Sequence, residues 1–271
     1  LEKILISTME RVILWDGKPI TIMEGDRAKG NANYHGVSWS QDKIFVACSI
    51  DFRYCIAVFD RDFKMIDVLY DDLHQIHQIF WHEKLYVTNT GKNRVDIWDG
   101  KWSHKYWNPS PCDIDHVNGI WIKDTTAYVT EYRPKRESIV RICDLDLDSK
   151  KEIIIGKALH NAYVEDNKLY NCVCHPKGLH ITDLETGRKT NVVISGHEKN
   201  LVRGLARSKD FWYVGMSQWV DFRGDRCTGD AIVAVLDNDL KEVDRIEIKD
   251  ASPVCELRLL SGDLAHNGVD F

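Results

Sequence analysis

The stretch HQIFWHEKLYVTNTGKNRVDIWDG, residues 77–100, decides the fold. It contains three short runs: His77-Gln-Ile-Phe-Trp, Lys84-Leu-Tyr-Val-Thr-Asn and Val95-Asp-Ile-Trp. Each is rich in aromatic and β-branched residues and bounded by polar residues, the mark of short strands rather than helices. Asp99-Gly100 supplies hairpin-turn chemistry, so a further strand follows.

The same unit recurs outward in both directions. The middle run returns as Lys43-Ile-Phe-Val-Ala-Cys, Thr126-Ala-Tyr-Val-Thr-Glu, Lys168-Leu-Tyr-Asn-Cys-Val, Asp210-Phe-Trp-Tyr-Val-Gly and Lys3-Ile-Leu-Ile-Ser-Thr. The run after it ends each time in an acidic turn, as in Ile56-Ala-Val-Phe-Asp and Leu179-His-Ile-Thr-Asp. The run before it starts at His35, His77, Asn118, His160, Arg203 and Glu256, in steps of 42, 41, 42, 43 and 53. Four strands repeating with a period near 42 predict an all-β, six-bladed β-propeller with antiparallel blades.

The expected blades are 35–72, 77–110, 118–156, 160–196 and 203–250, with 254–260 joined to 1–26 as the sixth, in a single domain over 1–271. The start supplies three strands with no inner strand before them, and the end supplies an inner strand with nothing after it. Pairing them removes two exposed edges that would invite aggregation. A β-sandwich has no reason to keep six equal units.

Six such blades resemble the NHL-repeat and gluconolactonase-like propellers, over the whole chain and at the level of architecture. The gluconolactonase-like resemblance implies one divalent metal held by a Glu, an Asn and an Asp. Glu256 and Asn118 match two of those types, and no Asp completes the set. The carotenoid-cleaving propellers hold iron with four histidines on seven blades, a pattern this chain also departs from.

Composition narrows the partners. The 36 basic and 42 acidic residues give a net charge of −6 with no long run of one sign, which argues against nucleic acid or a membrane surface. No apolar run approaches the roughly 20 residues needed to span a bilayer. Leu1–Met9 reads as a strand, not a signal peptide. Eight cysteines, several inside strands, then predict a reduced, cytoplasmic protein. Cys172, Cys174 and His175 lack a second ligand pair at zinc-site spacing and read as structural. The chain starts at Leu1 rather than Met, which leaves room for a neighbouring domain.

The first residues of the inner strands are all polar, and would rim one end of a central channel. Two positions on stand Val37, Ile79, Ile120, Ala162, Leu205 and Arg258, five of them apolar. Three histidines of eleven at six equivalent positions predict a divalent metal (Fe, Mn, Zn or Cu) held by His35, His77 and His160, with His116 just upstream. Glu256 is the candidate fourth ligand or general base, Asn118 orients water or substrate, and Arg203 suits an anionic group. Loops on the same face add candidate substrate contacts: Arg53, Tyr54 and Arg94, then Tyr132, Arg133 and His175. A long loop from Ser217 to Asp230 adds Trp219 and Arg223. The expectation is a metal-dependent enzyme acting on a small anionic substrate, by oxidative, lyase or hydrolytic chemistry. A non-catalytic protein- or glycan-binding propeller is the alternative.

Overall fold

The structure, a computed structural model, describes residues 2–108, 112–133, 135–175, 177–194, 200–218, 229–251 and 253–260. Its strands begin with β1 (Ile4–Thr8), β2 (Arg11–Trp15), β3 (Pro19–Glu24), β4 (Ala32–Trp39), β5 (Ile44–Ile50), β6 (Arg53–Phe59) and β7 (Met65–Leu69). There follow β8 (Ile76–His82), β9 (Lys84–Asn89), β10 (Arg94–Trp98), β11 (Trp102–Lys105), β12 (Val117–Lys123), β13 (Thr126–Glu131) and β14 (Ser138–Cys143). Then come β15 (Ser149–Glu165), β16 (Lys168–His175), β17 (Lys177–Asp183), β18 (Lys189–Val192) and β19 (Asn200–Arg207). The last are β20 (Trp212–Gln218), β21 (Ala231–Leu236), β22 (Glu242–Ile248) and β23 (Val254–Leu259).

Four sheets have four strands each, in the orders β23-β1-β2-β3, β4-β5-β6-β7, β11-β10-β9-β8 and β19-β20-β21-β22. A fifth runs β12 through β18, because β15 is one 17-residue strand. Its first half pairs with β14 and its second half with β16, so it closes one blade and opens the next. The fold is a six-bladed β-propeller of antiparallel four-stranded blades, and β1 pairs with β23 to complete the sixth. By its internal contacts the chain divides into two compact units, Leu1–Leu73 with Lys199–Phe271, and His74–Glu198. No helix among the described residues is long and apolar enough to cross a membrane.

The repeat translates directly into packing. One aligned residue of each middle strand is buried: Leu5, Phe45, Tyr86, Tyr128, Tyr170 and Tyr213. Burying a large apolar side chain contributes about 1.5–3 kcal/mol, so this row is a large part of each blade's core. The acidic turns have a mechanism too. Asp60, Asp144, Asp183 and Asp237 each accept backbone N–H bonds from the turn they begin, such as Lys64 N at 2.9 Å and Thr186 N at 2.7 Å. A carboxylate there satisfies donors that the tight turn strips of strand partners.

Every inner strand carries a register shift near its start: in β4 between Ala32 and Gly36, in β8 between Ile76 and Ile79, and in β12 between Val117 and Gly119. The same occurs in β15 between His160 and Ala162, in β19 between Val202 and Leu205, and in β23 between Glu256 and Val254. A bulge sets extra residues against the partner strand and re-aims their side chains. In blades one to five the pairing of inner with middle strand therefore begins one to three residues before the expected first residues, which sit at or beside the bulges.

Register corrects one position. The residues that face Val46, Val87, Val129, Asn171, Val214 and Ile6 of the middle strands are Val37, Ile79, Ile120, Ala162, Leu205 and Leu257. Counting back two gives His35, His77, Asn118, His160 and Arg203, but Cys255 in the sixth blade, not Glu256. The apolar layer is thus complete in all six blades, with Leu257 where Arg258 had been expected. Glu256-Leu-Arg-Leu alternates like its counterparts, and the alternation carries no sign of the bulge residue before it.

Candidate functional site

In the His74–Glu198 unit, the bulges bring His77, Asn118 and His160 into one neighbourhood with His116 and Tyr132. Four rings stand in a row. Centroids of His77 and His116 are 5.2 Å apart, His116 and Tyr132 5.2 Å, and Tyr132 and His160 5.5 Å. Edge-on and tilted contacts of this kind suit the quadrupoles of aromatic rings. Backbone geometry holds the row: His116 sits at φ 51°, and Tyr132 N donates to its carbonyl at 3.1 Å. A non-glycine residue in that left-handed region is a strained position that its surroundings must enforce.

Hydrogen bonds fix which nitrogen of each imidazole is basic. His116 Nδ1 lies 2.7 Å from Asp113 Oδ2, so Nδ1 carries the proton and Nε2 the lone pair. His77 Nδ1 lies 2.9 Å from the Gln75 carbonyl and 2.7 Å from Thr90 Oγ1, whose own proton goes to the Val117 carbonyl. Its Nδ1 is therefore also protonated. His160 is the reverse. Asn118 Nδ2 donates to the Leu159 carbonyl and to His160 Nδ1, both at 2.9 Å, while Asn118 Oδ1 accepts from Thr130 Oγ1 at 2.7 Å. His160 Nδ1 is an acceptor, and its proton is on Nε2. Asp113 completes the arrangement with a buried Oδ1 that has no hydrogen-bond partner among the described residues.

Next to the row, carboxylates consume the arginines. Arg133 contacts Glu131 Oε2 at 2.7 Å, and Arg136 contacts Asp115. Arg141 holds the other Glu131 oxygen at 2.7 Å. Arg94, expected on an open loop, is 4% exposed and tied to Asp96 and Tyr106. Residues two apart on a strand share a face, so Arg94 and Asp96 turn the same way. This corrects its assignment as a substrate contact.

The other unit uses its bulges differently. Arg203 Nη2 donates to His35 Nδ1 at 3.3 Å, which places the His35 proton on Nε2. Glu256 is 1% exposed and pairs with Arg258 at 3.4 Å, while Arg258 Nε donates to the Val37 carbonyl at 3.2 Å. Burial pulls the Arg258 guanidinium below its usual pKa, and the Glu256 charge acts against that. Cys255 is buried, its Sγ 3.6 Å from the Pro253 carbonyl. Arg53 lies over the Tyr70 ring at 4.7 Å, and Tyr54 lines a small cleft. Glu256 is thus half of a buried ion pair, which does not suit the free base or ligand expected of it.

Of the expected metal ligands, His77 and His116 have the tautomer that offers Nε2, with Nδ1–H held by an oxygen as ligating histidines usually are. His35 and His160 have the opposite tautomer, and Tyr132 stands between His116 and His160. His175 lies at the end of β16, and its side chain is outside the described set; Trp219 and Arg223 are wholly outside it. The sequence reading passed over Asp113, Gln75 and Thr90. Asp113 is three residues before His116, a spacing that a turn brings together.

No protein-family model and no curated protein sequence matches the chain. Solved structures do. A structure of a nidogen/laminin complex is similar with a TM-score of 0.72 and 12% identity, over 95% of this chain and 97% of that one. Catalytically inactive virginiamycin B lyase from Staphylococcus aureus with quinupristin gives 0.57 and 15%, over 84% and 73%. A streptogramin B lyase gives 0.56 and 12%, over 91% and 87%. At these identities the likeness is one of fold.

Proposed function

We propose that the chain is an enzyme, a lyase acting on a small anionic substrate by proton transfer at the imidazole row of the His74–Glu198 unit. His116 is the general base. The observation that carries this is the 2.7 Å contact between Asp113 Oδ2 and His116 Nδ1, which leaves Nε2 as the basic nitrogen. A carboxylate in that role fixes the tautomer and stabilises the imidazolium once a proton is taken.

His160 supports the complementary role. Its Nε2–H is a donor, suited to the oxygen on which charge develops when a proton is removed beside a carboxylate or carbonyl. With opposite tautomers, one imidazole presents an accepting Nε2 and the other a donating one. Tyr132 and His77 flank His116 and suit positioning of a compact substrate. Similar folds occur both in a lyase and in a protein–protein complex, so the fold alone favours neither chemistry nor binding.

The test is proton exchange. The chain is incubated in D2O with a panel of small carboxylates bearing an acidic α-proton and a leaving group, and exchange or elimination is followed by NMR. His116→Ala and Asp113→Asn should remove turnover while thermal unfolding is unchanged. Turnover that survives His116→Ala would sink the assignment. Inertness of the wild-type chain towards the whole panel would favour a binding propeller.

A second reading rests on the His77 and His116 tautomers. Both fit a divalent ion (Fe, Mn, Zn or Cu) at Nε2, where it would polarise a bound oxygen. Metal analysis of tag-free protein should then find about one equivalent, lost in His77→Ala but retained in His160→Ala. The cytoplasmic placement also remains a proposal, supported by cysteine usage: Cys48 and Cys55 lie 3.8 Å apart as thiols.

A further inference from the structure

We infer that the other compact unit carries a second ligand site, a cleft that takes one six-membered ring bearing a carboxylate. The cleft has a volume of about 180 Å³ and lies where the β3–β4 connection meets the tip of the β5–β6 hairpin. Arg27, Asn33, Ser49, Phe52 and Tyr54 line it. The site is independent of the imidazole row, and its test does not depend on that reading.

The hairpin tip beside the cleft departs from the rule for its own turn. Ile50 pairs with Arg53, so Asp51 and Phe52 are the two central residues, at φ 47° and 64°. A two-residue turn with both centres left-handed calls for Asn or Asp and then Gly. Here the second residue is Phe, in a conformation that opposes a bulky side chain, and it is 73% exposed. Such departures cluster at ligand clamps.

The surroundings hold the aromatic ring in place. Phe52 N donates to the Gly30 carbonyl at 3.3 Å, and Asp51 N donates to Asn31 Oδ1 at 3.0 Å. Gly30, at φ 75°, has no room for a side chain: a Cβ there would fall 2.7 Å from Phe52 Cδ2. The Phe52 ring therefore rests on bare backbone, with most of its surface open.

The lining then sets the chemistry. Phe52 and Tyr54 offer aromatic surface for a flat ring. Asn33 Nδ2 donates to Ser49 Oγ at 3.1 Å, and Ser49 Oγ donates to the Ala32 carbonyl at 3.1 Å, a fixed polar pair suited to ring hydroxyls. Arg27, steadied by Glu10 at 3.5 Å and about 39% exposed, suits two-point binding of a carboxylate. The volume suits one ring: a cavity of about 150 Å³ holds benzene.

The experiment titrates the full chain, observed by amide NMR, with 4-hydroxybenzoate and with glucuronate. Phenol and methyl glucoside serve as uncharged counterparts. At least one acid should shift the Gly30, Asn33, Ser49 and Phe52 amides with a Kd of roughly 1 mM or tighter. Its neutral counterpart should bind about fivefold more weakly, a difference that Arg27→Gln erases. Response to 4-hydroxybenzoate alone identifies aryl acids, and response to glucuronate alone identifies sugar acids. Phe52→Gly should weaken binding roughly tenfold while raising Tm, because glycine relaxes the turn. The site is refuted if neither acid shifts these amides at about ten times that Kd. It is equally refuted if neutral rings bind as well, or if Phe52→Gly leaves affinity unchanged.

Discussion

The bulges of the two compact units are the same backbone device fitted with opposite electrostatics. In His74–Glu198 they hold His77, Asn118 and His160, whose polar atoms meet the Gln75 and Leu159 carbonyls, the Thr90 hydroxyl and one another. In the other unit they hold His35, Arg203 and Cys255, backed by the buried Glu256–Arg258 pair. A bulge sets where a side chain points, and the layer behind it sets what that side chain can do. Neutral groups with assigned protons can exchange them; a closed ion pair cannot without uncovering a charge.

Five variants break or sharpen this contrast. The largest effect is expected in the neutral cluster: Asp113→Asn should lower kcat on a responsive substrate by about 10²–10⁴, with Tm nearly unchanged. In the charged cluster the readout reverses. Glu256→Ala leaves Arg258 buried beside no carboxylate and should cost about 3–5 kcal/mol in urea unfolding. Glu256→Leu combined with Arg258→Met should recover most of that loss, because an apolar pair of similar volume needs no charge compensation.

A smaller effect tests how protons are assigned. Asn118→Ala strips partners from the Leu159 carbonyl, Thr130 and His160, and should cost about 1–3 kcal/mol. In ¹⁵N spectra, His160 should then change from a pure Nε2–H pattern to a tautomer mixture, while His116 stays Nδ1–H. The smallest effect lies at the outer turns. Asp183 is held below its ordinary pKa by the Thr186 amide and hydroxyl, then by the Glu185 amide. The folded state therefore binds that proton less readily than the unfolded chain. Its contribution is complete above the ordinary value of 3.8 and fades as pH falls through the lowered one. Asp183→Asn should flatten the acid limb of the stability curve slightly, as measured by Tm between pH 2 and 5.

Strand order was legible because the middle strands repeat a buried aromatic at fixed spacing, and alternation survives small errors of register. Five of six bulge residues were legible for the same reason. The sixth was not: Glu256-Leu-Arg-Leu alternates correctly by itself, and only pairing with Ser7 and Thr8 reveals the residue it skips. Loop arginines were the weakest inference. Arg94 and Arg258 each lie two residues from an acid on the same strand face, which marks an internal pair, and that signal was available. Asp113 stands outside the repeat, so no periodicity could pick it out; its role depends on a turn that places it beside His116.

The long β15 strand has a mechanical consequence. With no loop between its two halves, tension on one blade passes along covalent backbone into the next. Those two blades should yield as a single step when the chain is pulled. New termini from circular permutation should be tolerated at the Asp60–Lys64 turn and fail at Gly156. That ranks the seams between blades by how readily evolution could have cut, duplicated or recombined them.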